Sequence, residues 1–253
     1  MSYETSDSPM SRDAQAAQDA IEQYRKSGND AGVQERFKSA IASNPDSPDL
    51  LLMGAHACAF QGKFEEAWSL TERVKSISPT NASAYILEAW LYNQEGDTAS
   101  ALAALDTASV NNSGELELTV IEGYKAFYAK DWRSSLQWLE IAHRKIPSDS
   151  GLSCALAQTL IGLKRYKEAR TAVLSALDTE PHSYSNLYTL GVVEEYLGDK
   201  PGAALAYEKA ISVNPALTAA EVCLLRLDMQ ALKWGAAVKR FRRIVQIGSI
   251  HHR

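Results

Sequence analysis

Along this chain, apolar residues recur with a helical period, in short stretches separated by turn-forming residues. From Tyr184 to Leu197 the apolar positions fall on one helical face. Gly198 then ends the stretch, because glycine takes left-handed backbone at a helix C-terminus without penalty. A second helix is predicted over about Gly202 to Val213. It stops at Asn214-Pro215, since the residue before a proline is pushed out of the α region.

This two-helix pattern returns every 34 residues. Five of the eight prolines keep the period: Pro45, Pro79, Pro147, Pro181 and Pro215. The small residues Ala67, Ala101, Ser135, Ala169, Ala203 and Ala237 form a second row. Gly28, Gly62, Gly96 and Gly198 form a third, completed by Lys130, Lys164 and Leu232. Three rows sharing one period define a single helical hairpin copied seven times, at 14–47, 48–81, 82–115, 116–149, 150–183, 184–217 and 218–251. Residues 1–13, rich in Ser and Asp and without periodicity, read as a flexible tail. The small row has a steric cause. Two antiparallel helices joined by a short turn approach closely beside it, and a Leu there would overpack by roughly 1–3 kcal/mol. The next contacts pair a larger residue with alanine: Phe37 with Ala40, Leu105 with Ala108, Leu139 with Ala142, Val173 with Ala176 and Tyr207 with Ala210.

These units resemble tetratricopeptide repeats. The sixth carries Leu187, Leu190, Gly191, Ala203, Tyr207, Ala210 and Pro215 at that family's motif positions. The third carries Tyr85, Ala89, Tyr92, Ala101, Leu105 and Ala108, with Ser113 in place of the proline. The first and last units match least. The resemblance spans residues 14–251 and implies an all-α, right-handed superhelical solenoid of antiparallel helix pairs, whose first helices line a concave groove. It also implies a non-enzymatic adaptor or chaperone, a role that similar bacterial arrays serve in secretion, pilus or envelope assembly. The family's cationic clamp for chaperone tails is missing: the positions that would hold it include Leu52, Ile86, Val120, Cys154 and Val222.

Groove positions carried over from the family give a surface that is apolar and aromatic near its middle: Leu52, His56, Phe60, Ile86, Trp90, Val120, Tyr124, Phe127, Tyr128, Tyr188 and Tyr196. Exposed apolar surface marks interaction sites, and Trp and Tyr dominate binding hot spots. The expected partner is a protein or peptide with apolar anchors, extended or helical in the groove. The competing reading is that these rings fill a tightly wound groove or pack on the next unit.

Composition narrows the class. A net charge of −5 gives no general attraction to nucleic acid, and no apolar run is long enough for a membrane span. The first residues, MSYETSDSPMSRD, do not form a signal peptide, so a cytoplasmic setting is the default and export with the signal removed the alternative. Cys58, Cys154 and Cys223 are too few for a disulfide framework or a zinc site. His143 and His182 are scattered, and His251-His252 is a weak metal pair, so neither a metal nor a cofactor is expected. No phosphate-cradling loop or metalloprotease helix appears, and no catalytic residue is assigned. Asn81-Ala-Ser83 and Asn111-Asn112-Ser113 match the glycosylation triplet by chance. Residues 218–253 carry +5 against −10 for the remainder. Lys239, Arg242 and Arg243 there are either a solvated face or a docking face for an acidic partner. Opposite them Ala237, Phe241, Ile244 and Val245 form an apolar stripe. Both ends are read as caps, with part of the last unit's apolar surface left open; the alternative to an adaptor is a self-associating structural scaffold that uses the groove or this open C-terminal edge.

Overall fold

In the computed structural model the described residues are 38–60, 62–112, 114–147 and 149–250. The tail at 1–13, the first helix of the first unit, the Phe60 side chain and His251-His252 lie outside them. Residues 38–43 are helical. Six helix pairs follow: α1 (Pro48–Phe60) with α2 (Phe64–Ile77), α3 (Ala82–Gln94) with α4 (Thr98–Asn111), and α5 (Glu115–Tyr128) with α6 (Trp132–Lys145). Next come α7 (Ser150–Gly162) with α8 (Tyr166–Thr179), α9 (Tyr184–Leu197) with α10 (Lys200–Val213), and α11 (Thr218–Gln230) with α12 (Trp234–Ile250). No strand occurs among the described residues.

The turn inside each pair sits on the glycine row. Gly62, Gly96 and Gly198 have φ of 74°, 82° and 88°, in the left-handed region. Lys130, Lys164 and Leu232 take the same conformation, at 57°, 61° and 58°, although a side chain there is strained. The geometry of the hairpin therefore overrides the residue at three of the six described turns. Several helices start on a side-chain cap. Asp97, Asp131, Asp149 and Asp199 accept the backbone N–H of Ser100, Ser134, Leu152 and Gly202. Asn81 does the same for Ala84, so its carboxamide is a helix cap. Because Asp199 is the cap, α10 begins at Lys200, two residues before the start read from the sequence. Pro201 fits that first turn, where its missing N–H has no intrahelical acceptor to lose.

The small row is the seam of each hairpin. Ala67, Ala101, Ser135, Ala169 and Ala203 are fully buried and Ala237 nearly so. Ser135, the polar member, shares a 2.9 Å hydrogen bond with Thr159 Oγ1 of α7, which removes the cost of burying its hydroxyl. Leu105, Leu139, Val173 and Tyr207 are sealed one turn further on, with Ala108, Ala142, Ala176 and Ala210. Each such leucine contributes roughly 1.5–3 kcal/mol of burial. Between units, ion pairs join a second helix to the next first helix: Lys75 with Glu88 at 2.6 Å, Asp106 with Lys125 at 2.9 Å and Arg170 with Glu194 at 2.7 Å.

First helices also pack on the first helix of the following unit, α1 on α3, α3 on α5, α5 on α7 and α7 on α9. They therefore form the inner wall. The curl is tight enough to bring distant units together. Trp90 of α3 packs against the cluster of Tyr184, Leu187 and Ala210 in the sixth unit. At the turn of the second unit, a Cβ on Gly62 would lie 2.8 Å from Asn214 Nδ2, just beyond α10.

Candidate functional site: the inner wall of the superhelix

The first helices place the groove residues on one continuous wall, but at very different depths. Leu52, His56, Ile86, Trp90, Val120, Tyr124, Phe127 and Tyr188 are half-buried. Tyr128 is 6 % exposed, so its ring builds the wall instead of offering a face. The middle of the wall is an aromatic run. The Tyr124 and Tyr128 rings stack with centroids 6.3 Å apart, and Phe127 meets Tyr128 edge-on at 5.3 Å and Trp132 at 6.0 Å. Trp90 lies 6.0 Å from Phe64 on one side and reaches Tyr184's cluster on the other. The rings at the centre thus partly fill the hollow, the competing reading drawn from the sequence.

Burial sets the chemistry of this centre. It pushes the hydroxyls of Tyr128 and Tyr184 upward, and that of Tyr124 well upward, with the Asp149 charge adding to the last. Tyr188 is pushed up to about 12 by burial, with Cys223 nearby. All four stay neutral at physiological pH and act as apolar bodies with a polar tip. The Tyr184 hydroxyl and Asn186 Nδ2 are buried with no hydrogen-bond partner among the described residues. In the fifth unit the wall is polar and satisfied. Gln158 Nε2 donates to Thr189 Oγ1 at 3.2 Å and to Cys154 Sγ at 3.4 Å. Cys154 is buried, and desolvation raises its thiol, so it is not a reactive nucleophile. Cys58 is pushed up to about 11 by burial and then by Glu66. Among the described residues no group of His, Cys, Asp and Glu could hold a metal ion.

Toward the C-terminal end the wall opens. Tyr196, Val222 and Met229 are 58 %, 49 % and 47 % exposed. Tyr196 stacks face-on with Tyr166 at 4.6 Å, which fixes its ring while leaving one face to solvent. Beside them Arg226 pairs with Glu195 at 2.6 Å, and the Tyr207 hydroxyl donates to the same carboxylate at 2.8 Å. The sequence reading weighted the aromatic third and fourth units and did not single out Val222 and Met229. Aromatic content was the misleading signal, because large rings are also what a tight curl buries.

The basic face of the last unit is smaller than its sequence implied. Arg243 is paired at 3.0 Å with the fully buried Glu221, which Arg240 also reaches at 3.3 Å. Arg240 further bridges Asp228 and Glu208. Arg243 is therefore a structural residue, and Lys239 and Arg242 remain exposed with no ion pair among the described residues. The stripe opposite is also only partly buried. Ala237 is sealed, Ile244 half-buried, and Phe241 and Val245 are exposed.

Helix pairs of 34-residue period, a small-residue seam and first helices lining the inside define a tetratricopeptide-repeat solenoid, an all-α superhelical array. Solved structures share the fold. A tetratricopeptide repeat protein from Parabacteroides merdae superposes with a TM-score of 0.52 at 17% identity, over 92% of this chain and 94% of its own. Cut9, from a crystal structure of the APC/C hetero-tetramer Cut9-Hcn1, gives 0.58 at 15% identity, over 92% of this chain and 46% of its own. PilF of Pseudomonas aeruginosa gives 0.50 at 15% identity, over 79% and 91%. No protein-family model and no curated protein sequence matches the chain.

Proposed function

We propose that this protein is a non-enzymatic adaptor that holds an apolar-anchored segment of a partner protein along its inner wall. The observation that carries this reading is the exposure of Tyr196, Val222 and Met229, three large apolar side chains on the last two first helices, α9 and α11. Exposed apolar surface of this kind marks interaction sites. The half-buried faces of Trp90, Tyr124 and Phe127 continue the apolar path inward. The Glu195–Arg226 pair supplies polar orientation at its outer end. A short helix or extended strand fits such a wall. Participation in a larger assembly is in keeping with Cut9, a chain of the same fold found in a hetero-tetramer. A role in bacterial secretion, pilus or envelope assembly is the finer form of this reading and rests on analogy of fold. Among the described residues no helix is long and apolar enough to cross a membrane.

Selection of displayed peptides on the full chain tests it. The peptides recovered should carry apolar anchors and lose about tenfold or more in affinity on a Val222→Asp/Met229→Asp variant and on Trp90→Ala, with unchanged helical circular dichroism. Peptides that bind these variants as well as the wild type would refute the groove.

A further inference from the structure

The second helix of each unit receives the first helix of the next, and α12 is built as though one more arrives. Thr71, Leu105, Leu139, Val173 and Tyr207 share one position of the repeat, and each is 0 % exposed. Phe241 holds that position in α12 and is 59 % exposed. In α10, Tyr207 and Ile211 pack with Ala220, Leu224 and Leu227 of the following helix α11. The matching face of α12 presents Val238, 50 % exposed, beside Phe241. Trp234, 58 % exposed, repeats the logic at the helix start. Its counterparts Tyr166 and Lys200 both contact the next first helix, through the stack on Tyr196 and a 2.9 Å hydrogen bond to Gln230.

The charge at the edge of this face names the kind of helix it would accept. Arg242 occupies the repeat position that is acidic in four earlier units, as Glu72, Asp106, Glu140 and Glu208. From that position Asp106 reaches forward to Lys125 on the next first helix. Arg242, one turn beyond Val238, therefore puts a positive charge at the edge of this face, where Asp106 puts a negative one. A second copy of α12 carries no carboxylate to meet that charge, which disfavours face-to-face pairing of two such helices. We propose that the Trp234–Val238–Phe241 face of α12 docks an acidic amphipathic helix of a partner protein, in the manner of an eighth first helix and independently of the inner groove.

A labelled, designed amphipathic helix tests this on the full chain. It carries Ala, Leu and Leu at the spacing of Ala220, Leu224 and Leu227, with a flank of glutamates; a control carries lysines there. The glutamate peptide should bind and the lysine peptide should not. Phe241→Glu should weaken binding about tenfold or more. Lys239→Glu/Arg242→Glu should reverse the preference toward the lysine peptide. Val222→Asp, in the groove, should leave binding unchanged, so the two surfaces fail separately. Absence of binding, insensitivity to Phe241→Glu, or equal binding of both peptides overturns the assignment. So does a concentration-dependent dimer that Phe241→Glu dissolves, since the occupant would then be a second copy. All four substituted side chains are on exposed positions, and matched circular dichroism confirms that each variant folds.

Discussion

Gly191→Ala should destabilise the protein, against the usual effect of removing a glycine from a helix. In an open mid-helix site the change stabilises by about 1 kcal/mol. At Gly191 the new Cβ would lie 2.4 Å from Tyr207 Cε1 and 2.5 Å from Cδ1. The ring has little room to retreat. It is fully buried, and its hydroxyl donates to Glu195, which Arg226 also grips. If the ring stays, the overpacking costs roughly 1–3 kcal/mol. If it moves, a hydrogen bond to a carboxylate worth roughly 1.5–3 kcal/mol is broken. Set against the gain in propensity, either cost leaves a net loss of up to about 2 kcal/mol. Urea unfolding followed by far-UV circular dichroism measures it. Gly235→Ala is the control: nothing lies within 4 Å of its Cβ, so that variant should be at least as stable as wild type. A Gly191→Ala protein as stable as wild type, with the control behaving as stated, would show that the α9–α10 contact is looser than described. The same knot positions Glu195 and Arg226 in the groove, so the variant should also weaken groove ligands.

Lys164→Gly and Lys130→Gly should each stabilise the fold by up to about 1 kcal/mol, read as a raised unfolding midpoint, because glycine takes the left-handed turn without the side-chain penalty; a lowered midpoint in both would contradict the strain. Asp97 and Asp131 are held below the usual carboxylate range by their bonds to Ser100 and Ser134. A depressed folded value means their contribution is present above about pH 4 and is lost as pH falls through that folded value. An Asp97→Asn/Asp131→Asn protein should accordingly lose less thermal stability than wild type on acidification, as a melting series across pH would record. Cys58 and Cys154 should alkylate slowly at neutral pH in the native protein and rapidly in denaturant, given thiols raised by burial; fast native labelling of both by mass spectrometry would contradict it.

Most of the architecture was legible in the chain. A period of 34 with a small-residue seam is a local instruction, since each hairpin is specified by its own residues. The departures were local too. Asp199 moved the start of α10 from the expected Gly202 to Lys200, because its side chain caps the first turn and Pro201 fits inside that turn. Lys130, Lys164 and Leu232 adopt the glycine conformation because packing of the flanking helices outweighs a turn penalty of roughly 1–2 kcal/mol.

What the residues determined alone is the repeating unit: where each helix starts and stops, which face is apolar, and which positions tolerate only a small side chain. The tertiary structure decided how much of each groove ring remains available. It set Trp90 against the sixth unit, sealed Tyr128, committed Arg243 to Glu221, and left Tyr196, Val222, Met229 and the α12 face open. The Arg243–Glu221 pair is set inside one hairpin, but the contact of Trp90 with the sixth unit depends on the angle between successive hairpins, summed over several units. A small rotation per repeat accumulates into contact or separation across the hollow, and no local pattern of residues records that sum.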